Sequence, residues 1–374
     1  MDVSMDDKIE RIDTIIEKLK FLLKYIYDFV DQLKNVVENS LPFQIRRSSK
    51  NDKTNAKLAN MQNTIEQPKV KGLDEIAGMT GIKKTLYALI TLPRSQPQLF
   101  TNRSISNSFL LFGPPGTGKT RLIHALAAQS EAVLHTLSIS DVMSSYVGAT
   151  EKNIHNLFHS LNDSDQLKIL FMDEIDSLCR KRTSSEHEYT RRIKTELMCQ
   201  ISRVEDCKNM VIIAVTNCPW ELDTAILRRF QKRIYVPLPG PQERAQLFTL
   251  FMRGTPVLDA NELEQLVQKT EGFSGSDIAT LVQNALDIPI AELQYTRIWE
   301  YTDDAYYTPF AFDSNVSDDD IYANVHIVNL EDLPRCSVRA RPSTFADFLE
   351  ATENTQPTVS WDSVKQYEQF TCKR

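Results

Sequence analysis

The sequence predicts an α/β fold in which a mainly parallel sheet is covered by helices, and three observations predict it. Gly113 to Thr120 reads GPPGTGKT directly after the apolar run Phe109 to Phe112. Lys168 to Glu174 reads KILFMDE, an apolar strand ending in two carboxylates. Around both, strand-length apolar runs alternate with helical segments, as in a parallel sheet buried on both faces.

The first stretch fits the pattern of a phosphate-binding loop set between a strand and a helix. Gly113, Pro114, Pro115, Gly116, Thr117 and Gly118 form the cradle, in which successive backbone N–H groups wrap phosphate oxygens and side chains at the glycines would block the turn. Lys119 brings a positive charge to the outer phosphates, and Thr120 offers a hydroxyl to a magnesium ion. In the second stretch Asp173 can hold the magnesium shell, while Glu174 can orient and deprotonate an attacking water. Together the two stretches point to hydrolysis of a nucleotide, with ATP and Mg2+ as cofactors.

A chain of 374 residues has room for one large α/β domain, a smaller one and appendages. A net charge of -7 disfavours broad nucleic-acid binding. Six cysteines without a CxxC pair read as reduced thiols of a cytosolic protein. The first apolar region is interrupted by Lys18, Lys20, Lys24 and Asp28, so it reads neither as a secretory signal nor as a membrane span.

In chain order, Ile9, Ile12, Ile16, Leu19, Leu23, Ile26, Val30, Leu33 and Val37 keep a heptad spacing, and Ile15, Leu22, Phe29 and Val36 widen the apolar face. Such a helix needs a partner: its own nucleotide domain, another copy or an adaptor. Polar residues 42 to 68 read as a flexible tether. A turn at Asp74 to Gly78 and a helix at Ile82 to Leu92 introduce the core. Strands then follow at Phe109 to Phe112, Ala132 to Leu137, Ile169 to Met172 and Met210 to Val215, with helices after Lys119, from about Glu151 and near Tyr189 to Val204. Asn217 follows the last of these strands, where an amide can hold water or simply make a turn. Arg228, Arg229, Lys232 and Arg233 are a basic cluster that suits either a solvated face or a neighbouring copy's nucleotide. Helices of mixed charge run from Pro241 to about Ile298.

Six motifs carry a family resemblance: GPPGTGKT at Gly113, FMDEIDSLC at Phe171, RRIKTE at Arg191, TNCPWELD at Thr216, RRFQKRIYVPLP at Arg228 and GFSGSDI at Gly272. Residues 72 to 298 resemble the AAA ATPases, in the branch of katanin, spastin and the vacuolar-protein-sorting ATPase that dismantles ESCRT-III. The resemblance implies a P-loop NTPase domain followed by a small helical lid domain with a β insertion. It implies that Asn217 is a first sensor, that Arg228 and Arg229 enter the site of the adjacent subunit in a hexameric ring, and that Ala77, Gly275 and Ser276 flank the nucleotide. Tyr146 and Val147 resemble a first pore loop, in which an aromatic grips an extended peptide without reading its sequence. His187 falls in the segment Arg182 to Arg192, which resembles a second pore loop.

The implied layout is an amphipathic helix at 1–41, a linker at 42–70, a large ATPase domain at 71–238 and a lid at 239–298. A shortened β insertion at 299–341, where a relative binds an activating cofactor, and a closing part at 342–374 follow. The relative's amino-terminal MIT domain is expected to be missing. ESCRT-III-like filament subunits are the implied partners, and the implied location is the cytoplasm, with recruitment to endosomal membranes through partners. Microtubule severing is the alternative.

Overall fold

The structure, a computed structural model, describes residues 65–103, 105–137, 149–162, 166–181, 188–204, 207, 209–252, 258–302, 304–310 and 325–372. The expected amino-terminal helix, most of the tether, and Tyr146, Val147 and His187 lie outside the described residues.

A six-stranded sheet has the order β1-β3-β4-β5-β2-β6, with β1 Ile65–Glu66, β2 Ser108–Phe112, β3 Val133–Leu137, β4 Lys168–Met172, β5 Met210–Thr216 and β6 Lys232–Tyr235. The pairs from β3 to β6 are parallel, and β1 joins β3 antiparallel. Every residue of β2 and β5 is buried, because helices cover both faces and alternate side chains find apolar partners on each side. On one face Leu110, Leu170 and Ile212 meet Ile193, Leu197 and Ile201 of α6 (Glu188–Arg203). On the other, Phe109, Leu111 and Ile213 meet Leu122, Ile123 and Leu126 of α3 (Lys119–Gln129). Each such side chain contributes about 1.5–3 kcal/mol of burial.

The structure departs from the sequence reading in three places. The helix expected at Ile82 to Leu92 is longer: α1 (Thr80–Leu86) passes through a π-helical turn (Tyr87–Thr91) into α2 (Leu92–Ser95). Residues up to 70 were expected in the tether, yet Ile65 and Glu66 pair with His135 and Leu134, and Val70 is buried. The Thr136 hydroxyl donates to Glu66 Oε2 at 2.7 Å, fastening a strand too short to show a period. The basic segment after Arg229 contains β6, which pairs with β2 and extends the sheet.

Between β3 and β5 lie α4 (Ala149–Asn162), β4 and the short α5 (Asp176–Cys179), and α7 (Thr224–Leu227) precedes β6. The lid follows as α8 (Pro241–Phe251), α9 (Ala260–Lys269) and α10 (Gly275–Glu292), around Phe248, Leu266, Ile278 and Leu281. The last two helices open on capping boxes, at Asp259 with Glu262 and at Ser274 with Asp277. The chain then makes a separate antiparallel sheet, β8-β7-β9, from β7 Ile298–Tyr301, β8 Tyr307–Pro309 and β9 Val325–Ile327. Trp299 is fully buried against it and donates its indole N–H to Val328 C=O at 2.9 Å. At the return, Arg341 bonds both Glu292, at the end of α10, and Asp347 of α11 (Phe345–Asn354). Phe348 of α11 rejoins the lid core, and α12 (Trp361–Cys372) reaches the large sheet, where Phe370 packs edge-on against Phe112.

Candidate active site

The carboxyl ends of the parallel strands converge on one edge of the sheet, where β2 is flanked by β5 and β6 and the chain steps out to β3. Open α/β sheets collect ligands at such a reversal. A cavity of about 540 Å³ lies there. The loop after β2, the carboxylates after β4, Asn217 after β5 and the start of α10 all reach it.

The loop owes its shape to glycine. Gly116 and Gly118 have φ of 73° and 84°, and a methyl group on Gly116 would lie 2.2 Å from the Ser276 hydroxyl. Ser276 N–H donates to Gly116 C=O at 3.1 Å, so the lid rests directly on the phosphate loop. Lys119, at the first position of α3, is buried and donates to Gly113 C=O at 2.9 Å and Pro114 C=O at 2.6 Å. Burial pushes its ammonium down to about 8, with the Asp173 carboxylate opposing that shift.

The Thr120 hydroxyl donates to Asp173 Oδ2 at 3.1 Å. These are two oxygen donors of the kind a hard divalent cation takes, beside a loop shaped for phosphates. The residues present therefore fit a nucleotide with its metal ion. Glu174 has a φ of 48°, rare for a residue with a side chain. Its N–H bonds Asp173 Oδ1 at 2.9 Å, and its carbonyl accepts from the backbone and hydroxyl of Ser177. Those bonds hold the turn that leaves Glu174 exposed at the cavity.

Of the residues singled out from sequence, Ala77, Pro115, Gly116, Thr117, Gly118, Lys119, Thr120, Asp173, Glu174, Asn217, Gly275 and Ser276 line this one cavity. Gly113 and Pro114, expected in the cradle, do not line the cavity; their carbonyls accept from the Lys119 ammonium instead. Arg228 and Arg229 do not line it and are exposed at the end of α7. Sequence reasoning missed Glu243 and Gln246 of α8, whose side chains accept from Met79 N–H at 2.6 Å and Gly78 N–H at 2.8 Å. They tie the lid to the segment beside Ala77. Glutamate two residues after Pro241 signals the cap that it makes with Gly240 N–H, but not the reach to Met79.

Three family models match in chain order. That of the ATPase family associated with various cellular activities (AAA) matches residues 109–238, the AAA+ lid domain 259–298, and the Vps4 C terminal oligomerisation domain 326–373. Vacuolar protein sorting-associated protein 4B of Pongo abelii is 37% identical over 318 residues, covering 82% of this chain and 70% of that protein. Spastin of Naegleria gruberi is 35% identical over 302 residues, covering 79% of this chain and 54% of that protein. The solved FIGL-1 AAA domain matches with a TM-score of 0.65 at 32% identity, covering 85% of this chain and 95% of that one. A phosphate loop, paired carboxylates and a lid resting on the loop thus coincide with matches along most of the sequence, and the chain belongs to the AAA ATPases, which couple ATP hydrolysis to the remodelling of proteins.

Proposed function

We propose that this chain assembles into a hexameric ring that uses ATP to unfold or disassemble ESCRT-III-like filaments, threading them through its pore in endosomal sorting and membrane remodelling. The separate sheet β8-β7-β9 carries this reading, because it stands between lid and closing helices where filament-disassembling ATPases have their β domain. The match to an oligomerisation domain over residues 326–373 supports self-assembly.

In this reading Lys119 leaves the carbonyls of Gly113 and Pro114 for the outer phosphates. Thr120 and Asp173 hold magnesium, which when bound neutralises charge on those phosphates. Glu174 orients the attacking water and takes its proton on a carboxylate oxygen. The Asn217 amide fixes the water's direction, and Arg228 and Arg229 stabilise developing charge in the neighbouring copy's site. Ala77, Gly275 and Ser276 hold the base and sugar side. Tyr146 and Val147, with His187, face the threaded chain. Residues 1–41 recruit partners across the tether, and an activating cofactor docks on the β insertion. The protein works in the cytoplasm and reaches endosomes through its partners; among the described residues no helix is long and apolar enough to cross a membrane.

The test is ATPase rate against protein concentration, with and without filament-subunit tails, beside Glu174→Gln. A rate per subunit that rises with concentration and again with those tails supports the reading; a flat rate refutes the shared site. The similarity to spastin favours microtubule severing as the second reading. Stimulation by tubulin tails and not by filament-subunit tails would establish that instead.

A further inference from the structure

The last helix contacts the nucleotide end of the large sheet at two places. At one, Phe370 of α12 meets Phe112 with ring centroids 5.2 Å apart and planes at 76°, and Phe112 directly precedes Gly113 of the phosphate loop. At the other, Tyr367 is buried between Trp220, at 4.9 Å, and Tyr235 at the end of β6, at 6.0 Å and nearly parallel. Phe112 and Tyr235 stack on each other at 5.5 Å, which joins the two places into one aromatic cluster.

Within this cluster the Tyr367 hydroxyl donates to the backbone carbonyl of Asn217, 150 residues away in sequence. Burial raises the phenol's pKa, so the hydroxyl keeps the proton that it donates. The turn that presents Asn217 is fixed from three directions. The Thr216 hydroxyl donates to Asp176 Oδ1 at 2.6 Å, Cys218 N–H donates to the Thr216 hydroxyl at 3.0 Å, and Tyr367 holds the peptide between them. The first two bonds come from the ATPase core, and the third comes from the closing helix.

We propose that Tyr367 is a positioning residue for ATP hydrolysis: its hydroxyl sets the Asn217 peptide, and through it the direction of the Asn217 amide at the cavity. This rests on the reading of Asn217 as the group that orients water. Without the hydroxyl the carbonyl can turn, and a displacement of about 1 Å at an orienting group costs on the order of a hundredfold in rate when it is complete. Because the Thr216 bonds remain, the displacement is partial. The closing helix thereby bears on chemistry through one bond, apart from whatever it does for assembly.

Tyr367→Phe tests this, since it keeps both ring contacts and removes one oxygen. The full-length variant, wild type and Asn217→Ala are compared for kcat, for KM for ATP, for melting temperature and for oligomer size by sedimentation, at matched concentration. Tyr367→Phe is expected to lower kcat roughly tenfold, with KM within about twofold, oligomer size unchanged and melting temperature lower by only about 2–4 °C, the cost of one lost hydrogen bond. A wild-type kcat in Tyr367→Phe beside an impaired Asn217→Ala overturns the role of Tyr367 alone. A wild-type kcat in Asn217→Ala overturns the reading of Asn217 on which it rests. If kcat falls together with oligomer size, or melting temperature falls by more than about 5 °C, well beyond one hydrogen bond, Tyr367 is structural and the proposal fails. A Tyr367→Phe, Asn217→Ala double variant no slower than Asn217→Ala supports action through that residue, and additive losses overturn it.

Discussion

Replacing Gly113 by alanine puts a methyl carbon 2.1 Å from the carbonyl oxygen of Val236 and 3.0 Å from its carbonyl carbon. Carbon and oxygen sit about 3.3 Å apart even in close contacts, so something must move by roughly 1 Å. The obstacle is backbone at the end of β6, and Val236 N–H donates to Phe112 C=O at 2.8 Å, so it cannot swing aside as a side chain would. Forcing the strands apart costs about 1–3 kcal/mol. The φ of 154° at Gly113 adds about 1 kcal/mol for a residue with a Cβ. At about 2–4 °C per kcal/mol for a unit of this size, melting temperature falls by about 5–15 °C. The assay is thermal unfolding without nucleotide, with a parallel titration of a fluorescent ATP analogue, which is expected to bind at least tenfold more weakly. Gly81→Ala is the control, because its methyl meets nothing within 4 Å in the helix α1. A Gly113→Ala protein that melts with the wild type and binds the analogue equally well would refute the argument from the Val236 carbonyl.

Glu174→Gln is expected to lower ATP turnover by about 10²–10⁴-fold while the analogue still binds; single-turnover hydrolysis and the titration check both halves. Arg228→Ala and Arg229→Ala proteins are expected to be inactive alone and to regain turnover when mixed with Glu174→Gln subunits, and a mixture that stays inactive would count against a shared site. Burial holds His135 down to about 4, below its ordinary 6.5, with Lys168 adding to the shift. Its neutral form therefore favours the fold fully above about pH 6.5, and stability declines as pH falls towards 4, by about 3 kcal/mol at most. Denaturant unfolding of His135→Asn across this range is expected to lose that part of the slope. Arg341→Ala leaves the buried Asp347 carboxylate without its guanidinium. We expect about 1–2 kcal/mol of lost stability after solvent screening, read as the earlier unfolding of the lid in hydrogen exchange.

The sheet was legible where burial on both faces makes a strand uniformly apolar, as in β2, β4 and β5. The phosphate loop and its carboxylates were legible because phosphate chemistry restricts residue types at fixed spacing. β6 was not, because an edge strand needs only one apolar side and Lys232 and Arg233 hid it. β1 was not, because two residues carry no period. The contacts of Glu243, Gln246 and Tyr367 were invisible for another reason: each depends on where a distant backbone group ends up, and no local pattern encodes that.

The two-residue strand β1 also bears on how fragments of this protein should be cut. A boundary drawn at residue 71, where the sequence suggests that the ATPase begins, would remove Ile65 and Glu66 and leave Leu134 and His135 of β3 without their antiparallel partners. Bare strand edges recruit other strands, and the uncovered edge of β3 carries the buried apolar Leu134 and Leu137. Fragments beginning before residue 65 should stay dispersed at concentrations where those beginning after it clump.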